Sequence, residues 1–222
     1  MIRKFAICVA AALMLLPFAA RAQYKEPKAF ITFQGGLAFS LNENFQAFFD
    51  NKCVNQLFQG CGAFSVGTYF NRRYGIRASV EYSMNKSAGN YQENHGQFNP
   101  YDFKSVIGFA DFIVNCGDVS RLKAFNCRVF AGLGYAHSFK FNLDPKMISW
   151  YKVNDPNNCF GVRGGFILEY LTRVGIGFFF EGCFEMFTDR YNGVDPSNSS
   201  DGKLGFPFDY KLNNSLGVAF HF

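Results

Sequence analysis

The chain has 222 residues and a formal net charge of +5, and removing Arg3, Lys4 and Arg21 of its leader leaves +2. That near balance excludes a nucleic-acid binder of the kind that carries a basic stripe. With 30 Phe, 11 Tyr and 22 Gly, the chain holds more rings than a water-soluble core of this size accommodates, so an apolar medium outside the protein is expected to receive them.

Residues 1–22 read as a secretory signal peptide. Arg3 and Lys4 form the charged start, Phe5 to Leu16 the apolar stretch, and Ala20-Arg21-Ala22 the cleavage site. The apolar stretch is shorter than the ~20 residues of a spanning helix. Residues 23–222 then form a single exported domain.

Along that domain the dominant signal is alternation with period two. In Ala29 to Ser40, Ile31, Phe33, Leu37 and Phe39 oppose Thr32, Gln34, Ala38 and Ser40. Gly62 to Phe70 alternates less cleanly. In Gly75 to Met84, Ile76, Ala78, Val80 and Tyr82 oppose Arg77, Ser79, Glu81 and Ser83. Tyr101 to Asn115 and Arg128 to Ser138 are again irregular. Cys159 to Leu171 sets Phe160, Val162, Phe166, Leu168 and Tyr170 against Gly161, Arg163, Gly165 and Glu169. Val174 to Thr188 sets Val174, Ile176, Phe178, Phe180, Phe184 and Met186 against Gly177, Glu181 and Glu185. In the last segment Leu216, Val218, Phe220 and Phe222 oppose Asn213, Ser215, Gly217, Ala219 and His221.

These are eight predicted strands, most of them near the ~9–11 residues of a tilted membrane-spanning strand. The connections alternate too. Leu41 to Cys61, Asn85 to Pro100, Phe139 to Asn158 and Asp189 to Phe208 are long and rich in Asn, Asp, Gly, Pro and Ser. Asn71 to Tyr74 and Thr172-Arg173 are short, and Cys116 to Cys127 is intermediate. A soluble lipocalin-like barrel also alternates, but it buries its apolar face inside. Here that face carries aromatics too bulky for a small barrel, while the other mixes Gly, Ala and Ser with charge. The pattern therefore predicts an all-β fold, an eight-stranded antiparallel up-and-down transmembrane β-barrel. In the first long connection, Phe45, Phe48, Phe49, Leu57 and Phe58 recur at helical spacing, which reads either as a short amphipathic helix capped by Asn44 or as a locally packed loop.

The alternating segments, the hairpin FNRRYGIRASVEYS and the terminal GVAFHF resemble the OmpA/OmpX-type eight-stranded outer-membrane barrels, the porin-like barrels of Gram-negative bacteria. The resemblance implies a barrel in the outer membrane with both ends periplasmic and four loops at the cell surface. It further implies an assembly signal on Leu216, Val218, Phe220 and Phe222, with Tyr210 compatible, read by the barrel-assembly machinery. Outer-membrane lipids are the implied surroundings, and an extracellular ligand would meet the long loops. Because the sequence stops at the barrel, no peptidoglycan-binding domain and no tether to the cell wall are expected.

Three sets of residues could carry chemistry. The first is the inner face, with Arg77, Glu81, Arg128, Arg163, Glu169, Glu181 and Glu185. In a narrow interior such charges must be partnered, and a turn centred on Thr172-Arg173 predicts that Arg163 pairs with Glu181. They either plug and stiffen the barrel or line a narrow pore for small solutes. The second is catalytic. His137 and Ser138 are adjacent, so they point to opposite faces and cannot act as base and nucleophile; no hydrolase spacing appears, and a lipid-acting enzyme ranks third, after a structural or adhesive role at the cell surface and a narrow channel for small solutes. The third set is the cysteines, which in an exported chain suggest disulfides: Cys116 with Cys127 across the intermediate turn, Cys53 with Cys61 in the first long connection, and Cys159 with Cys183 as the remainder. With no C-x-x-C spacing and three His, no metal or cofactor is expected. Tyr69, Tyr74, Tyr82, Tyr135, Trp150 and Tyr170 are candidates for interfacial aromatic girdles.

Overall fold

A residue pattern of period two has one geometric consequence: the side chains of a strand divide between two faces, and a sheet whose faces differ must separate two media. In the computed structural model this happens eight times. The strands are β1 (Ala29–Leu41), β2 (Phe58–Tyr69), β3 (Tyr74–Ser87), β4 (Tyr101–Asn115), β5 (Phe125–Asn142), β6 (Asn157–Leu171), β7 (Ile176–Thr188) and β8 (Phe208–His221). Each pairs antiparallel with its sequence neighbour, and β8 pairs with β1, so the sheet is a closed barrel. The structure describes residues 29–41, 58–87, 101–116, 125–142, 156–188, 191 and 208–222.

Closure satisfies every strand edge, which is the condition for a sheet to sit in hydrocarbon. The last pair is reciprocal: Ala29 N–H donates to the Phe222 carbonyl at 3.1 Å, and Phe222 N–H donates to the Ala29 carbonyl at 3.0 Å.

The short connections are built from side chains as well as backbone. Asn71 Oδ1 accepts the N–H groups of Arg73 and Tyr74, both at 2.8 Å. Thr172 Oγ1 donates to the Ile176 carbonyl at 2.7 Å and accepts its N–H at 3.2 Å. Gly175, at φ +82°, lies in the left-handed region, and a Cβ there would stand 2.9 Å from the His221 carbonyl. All three short connections lie at the end that also holds Ala29 and Phe222; residues 42–57, 88–100, 143–156 and 189–207 join strands at the opposite end.

The outer surface is apolar. Phe33, Leu37, Phe64, Val80, Leu133, Phe160, Phe178 and Leu216 are all exposed. Aromatic rings mark both borders of this band. Phe70, Tyr74, Phe112, Phe125, Tyr170 and Phe178 are exposed near the short-turn end, with Tyr74 on Phe112 (5.7 Å) and Phe125 on Tyr170 (5.1 Å). Tyr82, Tyr135, Phe160 and Phe184 are exposed toward the other end. From Tyr74 to Tyr82, eight residues at ~3.4 Å and a tilt of about 40° span about 21 Å, close to the ~25 Å band of outer-membrane barrels.

One girdle expectation changes. Tyr69 does not face outward; it packs inside against the cluster of Phe30, Ile113, Phe130, Ile167 and Phe179. Trp150 lies outside the described residues, as do the signal peptide and most of the predicted amphipathic helix. The last part of that helix, from Phe58, is strand β2.

Candidate functional site: the barrel lumen

The alternation that turns rings outward turns polar side chains inward, where water is scarce and each must find a partner. All seven charges of the inner-face set are buried in the lumen, and they are joined by Asp111, Lys211 and His221. Their contacts fall into groups along the barrel.

Nearest the short turns, Arg128 pairs with Glu169, and His221 Nε2 donates to Glu169 Oε1 at 2.7 Å. The Arg128 guanidinium lies 6.0 Å from the Phe30 ring and 5.6 Å from that of Tyr69. Gly177 leaves the space that the Glu169 carboxylate fills.

The middle group is centred on Asp111. Its carboxylate accepts from Arg77 Nε at 2.7 Å and from Arg163 Nε and Nη2 at 2.8 and 2.6 Å. Arg77 reaches on to Glu181 Oε2 at 2.5 Å, and Arg163 to Ser79 Oγ at 2.5 Å. Both guanidiniums stand over rings: Arg77 is 4.5 Å from Phe130, and Arg163 is 4.0 Å from Phe109. Four charges on four different strands are thus held together by one acidic centre.

Further toward the long-connection end, Lys211 lies between Glu81 and Glu185, the latter at 3.2 Å. Asn213 Nδ2 donates to Glu81 Oε2 at 2.8 Å, and the Cys61 thiol donates to Asn213 Oδ1 at 3.1 Å. The outermost group is neutral. Asn85 Nδ2 donates to Ser105 Oγ at 2.9 Å, and the Tyr191 hydroxyl is 2.8 Å from that oxygen. The Tyr191 ring stacks on Phe187 at 4.1 Å and meets Phe103 edge-on at 5.4 Å.

Buried charges in this arrangement are matched to rigid partners, and the space between them is filled by rings. These contacts link strands on opposite sides of the lumen, as where Arg77 of β3 meets Glu181 of β7. Glu81, Glu185 and Lys211 are each 0% exposed.

The expected Arg163–Glu181 pair does not form. The turn between β6 and β7 spans Thr172 to Ile176, which sets Arg163 opposite Glu185 and Ile167 opposite Glu181. Glu181 instead meets Arg77 from across the barrel.

The disulfide expectations are also corrected: Cys61, Cys116, Cys127, Cys159 and Cys183 are free thiols. Cys61 points into the lumen rather than into the first long connection, and Cys53 lies outside the described residues. Cys159 and Cys183 are both buried, but in separate clusters, with Phe187 around one and Phe130 and Phe179 around the other. Cys116 and Cys127 are exposed and face each other, the N–H of the first donating to the carbonyl of the second at 2.8 Å. That places them at a hydrogen-bonded position, where opposing Cα atoms stand at the wider ~5.5 Å spacing.

His137 and Ser138 lie on opposite faces: His137 Nδ1 is 2.8 Å from Asn158 Oδ1, whereas Ser138 is buried inside. Leu216, Val218, Phe220 and Phe222 lie on the outward parity of β8, and Leu216 is among the most exposed apolar residues.

Sequence reasoning missed Asp111, Lys211 and the inward rings. Asp111 sits between Phe109 and Ile113, in a strand with apolar residues on both faces, so parity gave it no contrast. Lys211 precedes the stretch in which the last alternation was recognised.

The backbone is similar to that of the outer membrane protein OprG from Pseudomonas aeruginosa, with a TM-score of 0.54 and 11% identity, over 90% of this chain and 98% of that one. It is also similar to Neisserial surface protein A, with a TM-score of 0.50 and 14% identity, over 87% and 97%. No protein-family model matches the sequence, nor does any curated protein. At these identities the likeness carries the fold, that of the eight-stranded outer-membrane barrels.

Proposed function

We propose that this protein is an integral outer-membrane barrel whose role is structural or adhesive, its closed body holding four long connections at the cell surface. The observation that carries the reading is the buried lumen network centred on Asp111, set inside an apolar exterior. A barrel that fills its interior with matched charges and rings is a support and not a conduit. What it supports is then the end where the long connections gather, which is the surface available to an extracellular ligand. Outer-membrane lipids and, during biogenesis, the barrel-assembly machinery are its other partners.

Planar-bilayer recording on the refolded protein tests this. No steady openings are expected, and a reproducible unitary conductance would overturn the structural reading. Migration in gels with and without boiling tests the membrane barrel itself, which is expected to shift on heating.

A narrow channel for small solutes is the second reading, and one observation favours it. The hydroxyls of Thr32, Ser65 and Ser215 are buried on the β8–β1–β2 wall without a hydrogen-bond partner among the described residues. Among the described residues, six buried carboxylates stand against four buried Lys and Arg side chains, so any current would be carried by cations.

A further inference from the structure

Asn214 departs from the apolar character of the outer face. It lies on the outward parity of β8 and is exposed. Along that face Tyr210 and Leu212 stand on one side of it, and Leu216, Val218 and Phe220 on the other. Its opposite residues on the neighbouring strands are Leu37 of β1 and Gly182 of β7, and the Phe166 ring fills the space beside that glycine. The Tyr210 ring stacks on Phe184 at the border toward the long connections. Asn214 is about 10 Å from it along the barrel axis, inside the apolar band. Among the described residues its side-chain amide has no hydrogen-bond partner. An amide left unpaired in hydrocarbon is costly.

Beside this amide the wall is bare. Gly35 of β1 lies opposite Leu216 and Gly62, and Gly60 of β2 lies opposite Leu37. A Cβ at Gly60 would meet nothing within 4 Å, and at Gly35 and Gly62 its nearest neighbours would be 3.8 and 3.6 Å away. The packing of the barrel therefore requires none of these three glycines. The inward Gly36 and Gly67 of the same strands differ, since a Cβ there would come within 2.1 and 2.2 Å of other atoms. Glycine weakens a strand, and where packing does not demand it, it marks the close approach of another surface. Gly108 and Gly164 are also open, but Val80 and Tyr135 face the first, and Ala131 and Phe184 the second. Around the bare patch, Leu37 and Leu216 stand out at 55% and 69% exposure.

We propose that the outer wall of β8, β1 and β2 around Asn214 is the contact surface of a homodimer within the membrane. Both copies are inserted the same way, so the two-fold axis runs along the membrane normal and the same patch serves both. With that axis between β8 and β1, each Asn214 stands over Gly35 of the other copy and beside the other amide. An amide carries both donors and an acceptor, so two of them satisfy each other. β7 of each copy then faces β2 of the other, and the exposed Phe184 ring reaches toward the space left by Gly60 and Gly62. Small residues that let backbones approach, joined by a polar contact, are what holds protein surfaces together in lipid. The partner is a second copy and not a lipid chain, because an acyl chain offers the amide neither donor nor acceptor. The inference rests on the membrane-barrel reading proposed above.

The test is single-molecule photobleaching of the refolded barrel, labelled at its N-terminal amine, in phosphatidylcholine vesicles over a range of protein-to-lipid ratios. For the wild type, the fraction of spots that bleach in two steps is expected to rise with that ratio. Asn214→Leu should lower the association constant by about tenfold, the scale of a polar contact within the membrane. Gly35→Val should lower it further by holding the walls apart, and Asn214→Gln should retain part of it. Gly108→Val, outside the patch, should leave it unchanged. Single-step bleaching of the wild type at every ratio, an unchanged constant in Asn214→Leu, or an equal fall in Gly108→Val overturns the proposal. Each variant is first checked for its heat-dependent gel shift. A wild type that lacks the shift and dissolves without detergent refutes the membrane barrel instead, so the two failures are told apart.

Discussion

Asp111 is the residue on which the lumen depends most. It holds two arginines from β3 and β6, and each of these is also bound to something else: Glu181, Ser79, or the face of a ring. Changing Asp111 to Asn keeps the shape and removes the charge, which leaves two buried guanidiniums with one carboxylate between them. Loss of one partner from a buried pair costs about 3–5 kcal/mol, because the remaining charge stays desolvated. Asp111→Asn is therefore expected to lower the urea midpoint sharply, read from the fraction of folded, heat-shifted protein on gels. An unchanged midpoint would mean that the arginines find water or other acceptors and that the centre contributes little. Replacing Arg77, Asp111, Arg163 and Glu181 together by apolar residues of similar volume is expected to cost less than the single change, since it leaves no orphaned charge.

At the scale of elements, the fit between β4 and β5 explains which strands could be read from the sequence. Where one face is polar and the other apolar, as in β3 with Arg77, Ser79 and Glu81 against Ile76, Val80 and Tyr82, alternation declares the strand and its inward face. β4 carries Phe103, Ile107, Phe109 and Ile113 inward and Val106 and Phe112 outward, so its two faces look alike in sequence. The inward rings are accommodated because β5 answers bulk with absence: Gly134 lies against the Phe109 ring and Gly132 against the Asp111 carboxylate. No local pattern announces that complementarity, since it links residues about two dozen positions apart. The same limit hid the pairing of the charges, because Arg77 and Glu181 meet across the barrel and not along a hairpin. Gly134→Val is expected to destabilise the barrel by about 1–3 kcal/mol through overpacking. Gly108→Val, on the outer face with nothing within 4 Å of its added Cβ, should leave the urea midpoint nearly unchanged. Equal effects from the two would show that the β4–β5 interior is looser than its contacts imply.

For the whole molecule, the decisive event is the meeting of its two ends. β8 pairs with β1 from Phe30 opposite His221 to Leu41 opposite Tyr210, and Ala29 and Phe222 add the last reciprocal bonds. The outward stripe of β8 can therefore be tested for two separable roles. In the finished barrel, Phe222 supplies a ring at the border of the apolar band and two backbone bonds at a strand end, where each is worth about 1 kcal/mol. During biogenesis, the resemblance to OmpA/OmpX-type barrels implies a signalling role for the same ring, which we propose and which the folded state cannot display. Phe222→Ala separates them, because it keeps both backbone bonds and removes only the ring. If the ring is a signal, the variant should show a marked fall in outer-membrane abundance in cells, while the barrel refolded in vitro should keep its urea midpoint to within about 1 kcal/mol of stability. If abundance is unchanged, the signalling role fails. If abundance and midpoint fall together, the ring acts through stability, and closure alone explains why an aromatic stands at the end of β8.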